Sequence, residues 1–209
     1  MRVTHMLVIT TLAFGLLLGL TLIGGKQLFA AGKYVYLVWE AEDVKTNGKA
    51  FHARPYKDDP VGKVSGGKVL AIDKVKPGEH VAPDKVFYKV NIPRDGVYFL
   101  WARTLWSTGC GNSVLTNISG YSNDWVLGGD ATYDCLHWIC LCDGGDNNSR
   151  PRPLQLKKGP VTITLKSVKG GIMVDEFLLT TDKDEEAQGA MKPSDPSVLL
   201  KDTSKSTGK

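Results

Sequence analysis

The chain has 209 residues, 42% of them apolar, which is room for one ordinary domain with its ends and too little for two. Its formal charge of +4 comes from lysines scattered along the chain, with no basic block interleaved with aromatics, and this argues against nucleic acid as a ligand. The 23 glycines and 10 prolines, set among Val, Thr, Tyr and Trp, favour many short strands joined by turns.

The first element is the segment 1–31. Arg2 and His5 precede an uncharged run from Met6 to Gly25, and the small residues Ala30, Ala31 and Gly32 follow. This pattern is an export signal. Its apolar core is also just long enough to span a bilayer, so the segment reads either as a cleaved signal peptide or as an uncleaved N-terminal anchor, the chain's one expected route to a membrane. Cleavage after Ala30 competes with cleavage nearer Gly32. Losing Arg2 and Lys26 with the segment lowers the formal charge to +2, a balance that selects no partner. Either way the body is exported to a periplasmic, extracellular or other extracytoplasmic compartment.

From residue 32 to 181 the apolar pattern restarts after each turn signal. Strands are expected at 34–42, 68–72, 85–92, 97–106, 114–118, 136–141, 160–166 and 172–180. Turns are expected at Pro93-Arg94-Asp95-Gly96, Gly128-Gly129-Asp130, 143–148, Lys157-Lys158-Gly159-Pro160 and Lys169-Gly170-Gly171. Period-two alternation without a long amphipathic helix makes an all-β sandwich. Beyond Thr181 the composition turns polar and mixed in charge, so 182–209 reads as a flexible tail. Within it, Val198-Leu199-Leu200 is the one apolar cluster that would dock on a partner.

The first strand ends in Glu40-Ala41-Glu42, which puts two carboxylates on one face, where they repel unless something neutralises them. A calcium ion suits such a pair, because hard cations collect oxygens, and Asp175 in the last strand is the best third carboxylate. A solvated strand edge is the competing reading of the same residues.

The order of Trp39-Glu40-Ala41-Glu42-Asp43, the run FYKVNIPRDGVY at 87–98 with Arg103 following, LKKGPVTITL at 156–165 and Val174-Asp175-Glu176-Phe177-Leu178 resembles the galactose-binding-like jelly-roll β-sandwich of carbohydrate-binding module families 6 and 35. The resemblance implies that Glu40, Glu42 and Asp175 hold a structural Ca2+ that ties the first strand to the last. It also implies glycan recognition by aromatic rings on loops at the sandwich edge, stacking on the sugar's C–H surface. Trp106, Tyr121 and Trp125 are the candidate ligand-binding rings, with Trp138 a further one. Tyr121 and Trp125 lie between turn residues, whereas Trp101 alternates along a strand and is expected in or near the core. One departure weakens the glycan expectation. Many relatives carry an asparagine two residues before the last-strand aspartate, and this chain has Met173, whose thioether cannot replace an amide.

No nucleophile elbow, zinc-protease motif or nucleotide-binding glycine loop occurs, and His52 and His80 read as surface histidines, so the body is expected to be non-catalytic. Its partner is then either a glycan or an extracytoplasmic protein. In the second case the chain is a structural subunit that organises a larger, multi-enzyme or filamentous complex.

Three of the four cysteines crowd into Cys135-Leu136-His137-Trp138-Ile139-Cys140-Leu141-Cys142, with Cys110 upstream. The spacing fits neither covalent haem nor paired zinc knuckles. Alternation puts Leu136, Trp138, Cys140 and Cys142 on one strand face, and Cys135, His137, Ile139 and Leu141 on the other. Cys110 bonded to Cys135 or Cys140 is the expected disulfide, with buried free thiols as the competitor. Cys140 and Cys142, neighbours on one strand, are expected not to join each other.

Overall fold

A computed structural model describes residues 33–57, 63–76, 78–142 and 150–184. The expected export segment 1–31, the sequence from 185 on with Val198–Leu200, and the expected turn at 143–148 lie outside the described residues.

The described chain is an all-β jelly-roll sandwich of two antiparallel sheets. Its strands are β1 (Tyr36–Glu40), β2 (His52–Pro55), β3 (Lys68–Ile72), β4 (Lys85–Ile92), β5 (Gly96–Trp106), β6 (Ser113–Ile118), β7 (Asp124–Gly128), β8 (His137–Cys140), β9 (Leu154–Leu156), β10 (Gly159–Lys166) and β11 (Ile172–Thr180). The larger sheet runs β2-β3-β11-β5-β8, with β1 paired to β11 and β9 to β5, and the smaller one runs β4-β10-β6-β7. All eight expected strands form, with ends moved by a residue or two. The short strands β2, β7 and β9 were not expected. Each is held by a longer neighbour, β3, β6 and β5 respectively, so pairing supplies what local pattern lacks.

The smaller sheet follows the alternation rule closely. Along β4, Val86, Tyr88, Val90 and Ile92 are buried, while Lys85, Phe87, Lys89 and Asn91 face out. These inward residues meet Leu37, Trp39, Leu100, Trp106, Phe177 and Leu179 from the larger sheet in one continuous core. Trp39 stacks on Phe177 with centroids 5.3 Å apart, and Tyr88 closes the same aromatic cluster.

The larger sheet is different, because all nine residues of β11 are buried. Its outer face carries a second apolar cluster of Val69, Ala71, Leu105 and Met173, covered by Tyr56, Val64 and Leu136. A strand covered on both sides does not alternate polar with apolar, and from Ile172 to Leu179 only Asp175 and Glu176 interrupt the apolar run. Within β11 the register with β5 shifts between Val174 and Glu176, leaving Asp175 as the extra residue of a β-bulge. Bulges re-aim a side chain, and this one turns a carboxylate in the centre of the sheet toward the end of β1. On the opposite rim, Leu141 follows β8 out of the larger sheet and bridges to Leu127 in β7 of the smaller one.

Candidate functional site

Polar chemistry gathers at a buried carboxylate cluster and at two open clefts. The cluster forms where β1 ends beside the β11 bulge. Ala41 N donates to Asp175 O at 2.8 Å, which fixes Glu40 and Glu42 next to Asp175. The loop before β3 closes over them. Ser65 Oγ donates to Glu40 Oε1 at 2.6 Å, and Ser65 N donates to Asp175 Oδ1 at 3.0 Å. Gly66 follows with φ +57, and a Cβ there would stand 3.1 Å from Glu42 Oε1 and 3.6 Å from Glu40 Oε1. That backbone turn and close approach require glycine.

The structure therefore brings Glu40, Glu42 and Asp175 together around one loop. It adds a residue the carboxylate pattern does not contain, Arg103 on β5. Arg103 Nη1 donates to Asp175 Oδ2 at 2.6 Å and to Lys63 O at 3.0 Å, with both members of the ion pair out of solvent. Both oxygens of Asp175 are thus occupied, whereas Glu40 Oε2 and Glu42 Oε2 are buried without a hydrogen-bond partner. Burial pushes Glu42 up to about 7, reinforced by the charges of Glu40 and Asp175. Burial also raises Glu40, against the Ser65 hydrogen bond, and raises Asp175, against the charge of Arg103.

A calcium ion fits part of this arrangement. Two orphaned carboxylate oxygens beside a glycine cradle are what a hard cation would satisfy. Asp175 enters such a shell only by releasing Arg103 or Ser65 N. Accordingly, no three His, Cys, Asp or Glu side chains among the described residues are already arranged to hold a metal.

The three candidate rings separate. Trp106, expected at the sandwich edge, is instead the fully buried end of β5, and its Nε1 donates to Asp130 Oδ1 at 2.5 Å. Neither ring face can meet a ligand. The strand end was expected where it is, at Trp106; what the pattern did not show is that the ring turns inward there, where Asp130 from beyond β7 accepts its indole N–H. Trp125 lies in β7, half-buried and packed on the core, with the Arg152 guanidinium 4.9 Å from its ring centroid. Tyr121 is held edge-on against Trp125, centroids 5.1 Å apart. The Tyr121 hydroxyl is fixed by strand β9, accepting from Gln155 N at 2.7 Å and lying 3.3 Å from Gln155 O.

Tyr121 borders an open cleft of about 530 Å³ lined by Ser119, Gln155, Lys157, Lys158, Pro160 and Val161 among others. Trp125 does not line it and acts from behind, as the wall against which Tyr121 rests. A second cleft of about 400 Å³ opens beside Met173, where relatives carry the asparagine this chain lacks, between Arg54, Asp73, Lys74 and Ser107. There Arg54 is paired to Asp73 at 3.1 Å and also reaches Met173 Sδ at 3.1 Å. The further ring, Trp138, is half-buried in β8 opposite Arg103.

The cysteine expectation is corrected as well. Cys140 and Cys142 are bonded to each other, while Cys110 and Cys135 are free thiols. The Cα atoms of Cys140 and Cys142 are 5.4 Å apart, within disulfide range. Strand β8 ends at Cys140, and the backbone then bends into the bridge to β7, so two residues of one face draw together where a straight strand would hold them apart. The face assignment itself holds, with Ile139 and Leu141 on the main core and Leu136 on the outer cluster. His137 is half-buried, with Nε2 2.9 Å from Asp130 Oδ2.

The chain matches no protein-family model and no curated protein. Among solved structures it is similar to a family 35 carbohydrate-binding module from Clostridium thermocellum (13% identity, covering 68% of this chain and 96% of that one, TM-score 0.46). It is also similar to the C-terminal family 6 module of a marine laminarinase from Zobellia galactanivorans (15% identity, 70% and 99%, TM-score 0.45). The chain is similar in fold to family 6 and family 35 modules. A third similar structure is a Paenibacillus cycloisomaltooligosaccharide glucanotransferase complexed with cycloisomaltoheptaose (15% identity, 67% of this chain, TM-score 0.45), of which this chain spans only 17%.

Proposed function

We propose that the chain is an exported, non-catalytic binding module that recognises glycan at the Tyr121 cleft and is stabilised by a structural calcium ion. The observation that carries the reading is the fixed ring of Tyr121 at the rim of an open cleft lined by the polar residues Ser119, Gln155, Lys157 and Lys158 together with the apolar Leu156, Pro160 and Val161. A pre-set aromatic face with a few polar groups around it is what a sugar ring needs, apolar C–H surface on one side and hydroxyls at the edge. Polysaccharide pull-down tests it: wild type is retained, and Tyr121→Ala is not. Retention unchanged in Tyr121→Ala removes the cleft from consideration.

Calcium would be held by Glu40 and Glu42 through their unpartnered oxygens, with Asp175 beside them. It would supply charge neutralisation and stiffen the junction of β1 with β11. A chelator is expected to lower the melting temperature and added calcium to restore it. A melting temperature indifferent to both refutes the ion.

A second reading is supported by β4. This strand is an edge of the smaller sheet, and Phe87 on its outer face is 58% exposed between Lys85 and Lys89. An exposed ring on an open edge suits a protein partner in a larger assembly. Stoichiometric co-purification that is lost in Phe87→Ser, with glycan binding intact, would favour it.

A further inference from the structure

We infer that the segment 197–202 of this chain adds itself as a further strand to the open edge of β4, with Leu200 covering Phe87. The inference goes beyond the protein-partner reading of that edge, because it makes the occupant a part of the same chain.

Among the described residues β4 pairs with β10 alone, which leaves one side of its backbone open to another strand. Its outer face presents Lys85, Phe87, Lys89 and Asn91 in alternation, and Phe87 is the most exposed large apolar side chain among the described residues. An apolar residue directly opposite the ring would take part of it out of water. A second copy of β4 does not suit this edge. Antiparallel pairing of two such strands about Phe87 sets Lys85 against Lys89 twice, and like charges directly opposite each other destabilise a pair.

The chain delivers its own segment to that edge. Beyond β11, Thr181 N donates to Val35 O at 3.1 Å, and Thr181 Oγ1 accepts from Val35 N at 2.9 Å. Asp182 Oδ2 then accepts from Tyr36 Oη at 2.8 Å. A Cβ on Gly96, the first residue of β5, would stand 3.9 Å from Thr181 Cγ2. The last described residues therefore lie beside the β4–β5 turn, at the Ile92 end of β4. A strand that enters there and follows the edge runs antiparallel to β4.

The sequence 195–202 reads Asp-Pro-Ser-Val-Leu-Leu-Lys-Asp. Period two puts Val198, Leu200 and Asp202 on one face. Opposite residues on antiparallel strands keep a constant sum of numbers, so pairing Leu200 with Phe87 sets Asp202 against Lys85 and Val198 against Lys89. The other face carries Leu199 beside the Tyr88 position and Lys201, whose stem lies along apolar surface with its ammonium in water. Asp195 falls opposite Ile92, and Pro196 stands at the start of the new strand, a place where a sheet edge tolerates proline. The link from Asp184 to Asp195 reaches at most roughly 36 Å, ample for a turn that the chain already stands beside. One choice of register thus yields an apolar pair and an opposite-charge pair, with the entry point and direction set by the exit from β11.

Hydrogen exchange of the full chain, followed by mass spectrometry, tests the inference. In the wild type, amides of 197–202 should exchange more slowly than those of 203–209. Phe87→Ser and Leu200→Asp should each speed exchange of 197–202 by about tenfold or more, while the amides of β10 keep their rates and so report an intact sandwich. Lys85→Glu should speed it less, and Lys85→Glu combined with Asp202→Lys should restore the wild-type rate, which a generally loosened sheet would not. Val126→Ser, exposed on the strand at the opposite edge of the same sheet, should change nothing. Wild-type amides at 197–202 as fast as those at 203–209 would overturn the inference, as would protection indifferent to Phe87→Ser. Protection that rises with protein concentration would assign the edge to the tail of a second copy and overturn the intrachain pairing. Unprotected 197–202 together with a co-purifying protein that Phe87→Ser releases would overturn it in favour of an external partner.

Discussion

Replacing Arg103 by Met removes the cation that lies within 2.6 Å of Asp175 in a site where the two side chains are 3% and 0% exposed. Methionine fills most of the arginine stem's volume, so the change isolates charge from packing. What remains is a carboxylate at a bulge, facing Glu40 and Glu42, with Ser65 N donating to it. Breaking a buried ion pair by taking one partner away costs about 3–5 kcal/mol. For a body of about 150 residues each kcal/mol moves the melting temperature by roughly 2–4 °C, so a fall of roughly 6–20 °C is expected in calcium-free buffer. Thermal melts followed by circular dichroism, with urea titrations alongside, give the value. The double variant Arg103→Met/Asp175→Leu removes both charges and should recover most of the loss, since the cost arises from an uncompensated charge rather than a lost contact. A loss below about 1 kcal/mol in Arg103→Met, or a double variant as unstable as the single one, would refute the claim that Arg103 neutralises the cluster.

Three other outcomes follow from the same structure. In metal-free buffer, stability should fall as pH rises from 4.5 towards 7, because Glu42 holds its proton in the folded chain to about 7 and releases it near 4.5 when unfolded; Glu42→Gln should flatten the profile of melting temperature against pH. A Cβ at Gly111 would lie 1.9 Å from Gly170 O, a backbone atom that cannot swing aside, so Gly111→Ala should cost about 1–3 kcal/mol or more by urea titration. Reducing the Cys140–Cys142 bond opens a loop that encloses only Leu141, so melts with and without reductant should differ by less than about 2 kcal/mol.

The sandwich was legible wherever one strand face is wet, as in β4, because alternation is then enforced by water. β11 was legible for the opposite reason, an apolar run too short for a membrane and bounded by Gly171 and Thr181. β2, β7 and β9 were not, since strands of three to five residues take their conformation from a partner that local pattern does not name. In the candidate site, Glu40, Glu42 and Asp175 could be grouped because strand periodicity puts the first two on one face. Arg103 could have been added from its place in the alternating stretch Trp101-Ala102-Arg103-Thr104-Leu105, where a charge among apolar residues demands a buried partner. Tyr121 stood out as a loop ring, but Lys157, Lys158 and Ser119 meet it only through tertiary contact. The Cys140–Cys142 bond was misjudged because β8 ends at Cys140, before the expected 141, and strand ends are the least visible feature of a pattern; Trp106 was misjudged because its acceptor, Asp130, meets it only through tertiary contact.

The bridge from Leu127 to Leu141 joins the rims of the two sheets on one side only. On the other side, the hydroxyl of Tyr88 reaches across to Ala41 O at 2.6 Å. The sandwich is therefore bound like a book, with a spine at β7 and β8 and clasps at the fore-edge, where Asp84 Oδ2 also accepts from Ala50 N and Phe51 N at 2.9 and 3.0 Å. Opening fluctuations must swing about that spine, so amides near Leu127 and Leu141 should exchange with solvent later than those beside Ala41, and loss of the Tyr88 hydroxyl should widen the gap between the two.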